Sequence, residues 1–413
     1  MTSIPDNEWT EMSRRIFLRR AAMTSIAAST GAALLSACGS SATTASSATT
    51  VGATATSASP STTAAAMVDK STTTVAAMVD KTTVAPAAMA ELEGTINFLN
   101  FPGWVGKDTY TKFAAMHPKV KVNEIPIGGS ENSDYLTKIK DRAGDYDLIL
   151  IDGTTWPTVE AVKGFGEFAG KVPNIANVDA SFRKQPFDPT DARWAATDYG
   201  RTGIGYRKDI VKEPITSWKD FLALASKYKG RVAVLDYQRS VMGSILRMLG
   251  KPSSTVSEAD IAEVVKVLKA LKPNLLAIST EVGKQLATGE IVMAFGDAYD
   301  VYSASLKEPN IGWVDPSEGQ VAYIEGLAVL KGPRDDLSRA LIDFHLSKDA
   351  YADFVNTTGT AGVMGTNELI KAELLKTPVL NPSTEVKGRI QYHQFLGEAK
   401  DIWQRGWDEF KGA

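Results

Sequence analysis

From about residue 95 onward, apolar residues fall into two alternating rhythms: short unbroken runs, and stretches spaced three or four apart. Thr95-Ile96-Asn97-Phe98-Leu99 reads as a strand, Pro102-Gly103 as a turn, and residues 110–116 as a helix. Residues 120–125 form the next strand. Tyr135, Leu136 and Ile139 share one helical face, and Leu148-Ile149-Leu150-Ile151 is a continuous run suited to a strand covered on both faces. Ser217-Trp218-Lys219-Asp220 opens a helix like a capping box, ending at Gly230 ahead of strand 232–235. Ser257 caps a helix whose apolar face is Ile261, Val264, Val265, Leu268 and Leu271, stopped by Pro273. Gly289 separates a short helix from strand 291–295. Leu337, Leu341 and Phe344 mark a late helix, and Ile402 and Trp403 one at the C-terminus. Strands alternating with helices over this length predict an α/β architecture in two lobes.

Before residue 94 the pattern vanishes. Ser13-Arg14-Arg15-Ile16-Phe17-Leu18-Arg19-Arg20 precedes a small-residue and apolar run that is diluted by Ser and Thr, too short to span a bilayer. This resembles a twin-arginine export signal, and Leu35-Ser36-Ala37-Cys38 resembles a bacterial lipobox, with the sole cysteine of the chain at the lipidation position. Residues 1–37 are therefore expected to be a signal peptide. Residues 38–93, dominated by Ala, Ser, Thr and Val, are expected to form a disordered tether. The tandem copies Ala65-Ala66-Met67-Val68-Asp69-Lys70 and Ala76-Ala77-Met78-Val79-Asp80-Lys81 are too short and too few to stack into a repeat fold.

Charge and composition narrow the function by exclusion. The 413 residues carry 45 Lys+Arg against 48 Asp+Glu, so no bulk basic field exists to hold nucleic acid. One cysteine permits no internal disulfide. Neither His117, His345 nor His393 has a partner at metal-ligand spacing. Walker loops, nucleophile elbows and dinucleotide fingerprints are missing from the sequence, and Gly203-Ile204-Gly205 is better explained by close strand packing. No cofactor is expected. An exported α/β chain with this inventory is expected to bind rather than to catalyse.

Aromatic and acidic residues recur at the ends of the predicted strands. Phe101 and Trp104 follow the first strand, and Asp152 and Trp156 follow the run ending at Ile151. Tyr199 precedes the paired glycines, while Asp236, Tyr237 and Arg239 follow strand 232–235. Phe295 and Asp297 close the next strand, and Tyr323 and Glu325 stand before Leu327. Open α/β sheets bind ligands beyond the carboxyl ends of their strands. Ring faces attract cations, and desolvated carboxylates pair with them. Taken singly, each ring is as well explained by core packing and each acid by a solvated loop; the recurrence is what points to a cleft.

The order of short motifs from about Thr95 to Phe410 resembles the spermidine/putrescine-binding proteins, within the extracellular solute-binding proteins of ABC importers. The carrying segments are Ile96-Asn97-Phe98-Leu99-Asn100-Phe101, Tyr146-Asp147-Leu148-Ile149 and Lys184-Gln185-Pro186-Phe187-Asp188-Pro189. They continue with Gly200-Arg201-Thr202-Gly203-Ile204-Gly205-Tyr206, Thr216-Ser217-Trp218-Lys219-Asp220, Gly289 through Asp297, and Glu325-Gly326-Leu327-Ala328-Val329. The resemblance implies a type II periplasmic-binding-protein fold: two lobes, each a mixed sheet flanked by helices, closing on a ligand in the cleft between them. It places lobe I at 94–198 and 297–332 and lobe II at 199–296 and 333–413, with crossings near 198–201, 295–297 and 332–335.

By position, the resemblance makes Phe101, Trp104, Phe295 and Tyr323 cleft aromatics, Asp297 a carboxylate for an amine, and Asp152 a neighbour of polar ligand groups. The segment Leu235-Asp236-Tyr237-Gln238-Arg239-Ser240 departs from the family: Tyr237 and Ser240 stand where ligand-pairing acids are usual, leaving Asp236 nearby. Arg201 replaces a small residue and is suited either to a ligand carboxylate or to a structural ion pair. The expectation is a monomeric receptor, lipid-anchored at Cys38 on the outer face of the membrane and serving an ABC permease, with a polyamine or related organic cation as its solute. Alternatives are a zwitterionic or carboxylate-bearing solute such as an amino acid, betaine, opine or phosphonate, a sensor lipoprotein, and, for want of a nucleophile–base pair more remotely, a surface hydrolase.

Overall fold

The computed structural model describes residues 91–127, 139 and 143–413. The expected export signal, Cys38 and nearly all of the tether lie outside the described residues, as do Tyr135 and Leu136 of the anticipated helical face.

The described chain runs β1 (Gly94–Asn100), α1 (Thr109–Met116), β2 (Val120–Pro126), β3 (Leu148–Asp152), α2 (Trp156–Val162), β4 (Trp194–Arg207), α3 (Trp218–Ala225) and β5 (Val232–Leu235). It continues with α4 (Gln238–Met248), α5 (Glu258–Leu271), β6 (Leu275–Ser279), α6 (Val282–Thr288), β7 (Met293–Asp297), α7 (Ala298–Ser305), β8 (Ile311–Val314) and β9 (Gln320–Val329). The final elements are α8 (Asp335–His345), α9 (Lys348–Thr358), α10 (Ala372–Lys376), α11 (Thr384–Lys387), β10 (Ile390–Tyr392) and α12 (Lys400–Gly412). Local chemistry sets several of these boundaries. Ser217, Ser257 and Ser347 each accept a backbone N–H of the first helical turn that follows, and Gly289 and Gly359 take the left-handed conformation that ends α6 and α9.

The strands are hydrogen-bonded in the order β2-β1-β3-β9-β4-β7-β5-β6, with β10 added to β9 and β8 to β4. β1, β2 and β3 are parallel, as are β5, β6 and β7, while β4 and β9 run antiparallel to their main neighbours. The fourteen-residue β4 is the pivot. Trp194 to Arg201 pair with β9, and from Thr202 onward the same strand pairs with β7. One strand thus belongs to two sheets, which puts a crossing between lobes at Arg201–Thr202.

Two separate cores confirm two lobes. The first is built on Ile96, Leu99, Ile149, Ile151, Trp156, Trp194 and Val329, the second on Trp218, Phe221, Val234, Ile245, Leu268, Phe295 and Trp403. These cores divide the chain differently from the expected boundaries. Leu337, Leu341 and Ile342 of α8 and Tyr351, Phe354 and Val355 of α9 pack into the first core, so 335–380 joins lobe I instead of lobe II. Val301, Ala304 and Ile311 pack into the second core, which assigns α7 and β8 to lobe II. The chain therefore changes core along β4, at the start of β9 and between Leu380 and Leu396, and not at 295–297 or 332–335.

Candidate functional site

Three carboxylates stand in one row across the first sheet. Asp152, the last residue of β3, is paired with Glu325 of β9, and Glu325 is paired on its other side with Asp198 of β4. Directly opposed residues of antiparallel strands project to the same face, about 5 Å apart at Cα. A bulge between Ala196 and Asp198 sets this register: without the extra residue Asp198 would move to the opposite face. Asp297 ends β7 opposite Thr202, on the same face of β4 as Asp198, and so brings a fourth acid from the second lobe.

Rings close this acidic face. Tyr323 lies opposite Gly200, and its ring crosses β4 where that residue has no side chain; a Cβ there would fall 2.1 Å from the ring. The Tyr323 hydroxyl reaches to 3.5 Å from Oδ2 of Asp297. From the loop after β1, the indole of Trp104 donates to Oδ1 of Asp198 at 3.2 Å, and Thr197 Oγ1 donates to the same oxygen at 2.8 Å. The Trp104 ring also meets Tyr299 of α7 and Phe354 of α9 edge-on. Burial pushes Asp198 up to about 6, the charge of Asp297 adding to that push while the hydrogen bonds from Thr197 and Trp104 oppose it. Two acids facing each other in a nearly dry seam favour a cation between them.

Beside this face a small hollow of about 20 Å³ is lined by Asp152, Thr154, Gln185, Phe187, Tyr323 and His393, among others. Asp152 points its oxygens into the turn after β3, where they accept from Thr154 and Thr155 and fix the entry to α2. Among the described residues no group of three His, Cys, Asp or Glu is close enough to hold a metal ion.

The other expected site residues serve packing. Phe101 is buried in the first core, where Trp156 stacks on Phe165 and hydrogen-bonds Glu160. Tyr199 is buried against Phe182 and donates to the Leu380 carbonyl. Phe295, expected in the cleft, shares the face of β7 with Asp297 but lies two residues further back, fully buried, flat on Trp218 at 4.3 Å and edge-on to Phe221. Asp236 holds Lys411 of the last helix at 2.9 Å, Tyr237 stands at the N-cap position of α4 and is half-buried against the second core, and Arg239 bonds the Gln394 carbonyl and Ser254 beside Trp403. Arg201 settles as a structural side chain: 1 % exposed, it pairs with Asp315, hydrogen-bonds Gln320 and the carbonyls of Pro378 and Val379, and lies over Trp313. Asp198 and Tyr299 are the additions that sequence reasoning missed. An acid inside the otherwise apolar or neutral run 194–200 was the available signal for Asp198.

Two α/β lobes threaded by shared strands, with acids and rings gathered where they meet, define a two-lobed ligand-binding protein of the type II periplasmic class. The chain belongs to the bacterial extracellular solute-binding proteins, whose family model matches residues 108–367. The spermidine/putrescine-binding periplasmic protein of Escherichia coli is 24% identical over 331 residues, 78% of this chain and 93% of that protein. The putrescine/cadaverine-binding protein of Pseudomonas aeruginosa is 26% identical over 311 residues, 71% of this chain and 86% of its own. In fold, the chain is similar to the crystal structure of the spermidine/putrescine ABC transporter substrate-binding protein PotD of Streptococcus pneumoniae, with TM-score 0.67 and 21% identity over 76% of this chain and 99% of that one. The family resemblance and the two-lobed α/β class read from the sequence therefore hold, and the substrate-binding role with them.

Proposed function

We propose that this protein captures a polyamine or a related organic cation outside the cytoplasmic membrane and hands it to an ABC permease, tethered there by a lipid on Cys38 and acting as a monomer without catalysis. The observation that carries the ligand class is the row Asp152–Glu325–Asp198 facing Asp297, walled by Trp104, Tyr299 and Tyr323. Carboxylates pair with ammonium groups, and ring faces accept the methylenes and the charge between them. The relatives named for polyamines support the same class. Against a carboxylate-bearing solute stands the commitment of Arg201 to Asp315, Gln320 and two carbonyls, which removes the guanidinium that would have held it.

Titration calorimetry of the purified domain with putrescine, spermidine, glycine betaine and glutamate tests the reading. The amines should bind tightest and glutamate not at all; a preference for glutamate or betaine would replace it. The mass of the mature N-terminus from membranes tests the lipid anchor at Cys38.

A further inference from the structure

We propose that Asp198 is a ligand-pairing carboxylate of this cleft and that the solute's ammonium group displaces a proton which Asp198 holds while the cleft is empty. The proposal rests on the cation-capture reading and adds to it a residue and a proton linkage.

The geometry carries it. Asp198 is 2 % exposed at the pivot strand, yet its partners are poor compensation for a buried charge. Both hydrogen bonds it receives come from neutral donors, the Trp104 indole and the Thr197 hydroxyl, and both converge on Oδ1. Among the described residues, the groups facing it from the packed elements are acidic or neutral. These are Glu325 and Tyr323 from β9, with Asp152 beyond, Asp297 and Tyr299 from the end of β7 and α7, and Tyr351 from α9, whose hydroxyl donates to the Thr197 carbonyl. The nearest guanidinium on the same strand, Arg201, is committed to Asp315 and Gln320. A carboxyl so placed takes up a proton in preference to standing ionised beside Asp297, and burial pushes it to about 6.

An arriving ammonium supplies the missing counter-charge. The proton bound to Asp198 leaves to solvent, the carboxylate is restored, and charge balances: one cation enters for one proton released. The linkage fixes the sign of the pH dependence. Below about pH 6 the cation must compete with the proton, so affinity falls as pH falls; above it Asp198 is already ionised, no proton leaves and affinity levels off.

The test is calorimetry with putrescine and with spermidine at about pH 5.5 and about pH 8, in two buffers of different ionisation enthalpy, on wild type and Asp198→Asn. Asparagine keeps an oxygen for both donors, and an unchanged circular dichroism spectrum certifies the fold. Wild type should release most of a proton per ligand at the lower pH and none at the higher. D198N should bind at least roughly tenfold more weakly at the higher pH and release no proton at either. Wild-type affinity and proton release in D198N would overturn the role of Asp198 while leaving cation capture intact. No binding of either amine to wild type would instead overturn cation capture, and this inference with it.

Discussion

The rings of Trp104 and Tyr299 meet edge-on, centroids 5.6 Å apart at 84°, one carried by the loop after β1 in the first lobe and the other by α7 in the second. Trp104 also holds Asp198 through its indole N–H. A single side chain thus joins the two lobes and orients an acid of the cleft. Trp104→Ala should weaken amine binding about 70- to 900-fold, from an aromatic pair of about 1 kcal/mol and a hydrogen bond to a charged acceptor of about 1.5–3 kcal/mol. Trp104→Phe should lose only the hydrogen-bond share. Calorimetry on both variants separates the two contributions; equal losses would show that the indole N–H is not used.

Phe295 should behave as a core residue. Its ring lies at 14° to that of Trp218 and edge-on to Phe221, on the same side of β7 as Asp297 but covered by those two rings. Phe295→Leu should lower the unfolding free energy by about 1–3 kcal/mol in urea titrations and leave the amine affinity within about threefold. A large affinity loss without destabilisation would return Phe295 to the cleft.

This residue also shows where the sequence stops being readable. Strand 232–235 and the caps at Ser217 and Ser257 were legible because burial on both faces and a side-chain acceptor before an apolar periodicity leave local marks. On β7 all five residues are buried and Phe295 shares its face with Asp297, so alternation could not tell that Trp218 and Phe221 would cover the ring and leave the acid at the strand's end. Asp297, at the strand's end, was found because position alone identified it. Asp198 was hidden for a different reason: its facing depends on the bulge after Ala196, a register choice made by the partner strand β9. The allocation of α8 and α9 to the first lobe was equally invisible, since an amphipathic helix announces that it will be covered but not by which sheet.

Arg201 should govern stability rather than ligand choice. Removing it by Arg201→Leu takes the cationic partner from Asp315, which keeps the Trp313 indole, and the donor from the carbonyls of Pro378 and Val379 at the crossing of β4. Breaking one side of a buried pair costs about 3–5 kcal/mol, so the urea midpoint should drop sharply. Arg201→Lys should recover little, because one ammonium cannot serve two carbonyls and an acid in the fork geometry and lie flat over Trp313. If R201L were stable and merely lost affinity, the guanidinium would have to be reassigned to the solute.

His345 gives the fold an acid-sensitive point away from the cleft. It sits in the last turn of α8, 7 % exposed, with Nε2 lacking a hydrogen-bond partner and its ring 5.0 Å from that of Phe354. Burial lowers its proton affinity from the ordinary 6.5 to about 4, so the folded state keeps the imidazole neutral while the unfolded chain protonates it. The sign follows: its stabilisation relative to the protonated form is complete above about pH 6.5 and is lost as pH falls towards 4, to the order of 3 kcal/mol. His345→Leu should change stability at about pH 7 by less than about 1.5 kcal/mol, since the ring is packed chiefly among apolar neighbours. Near pH 4 the variant should be the more stable of the two. Urea unfolding of both proteins across that interval checks it, and parallel curves at every pH would mean that the imidazole takes up its proton alike in the folded and unfolded chains.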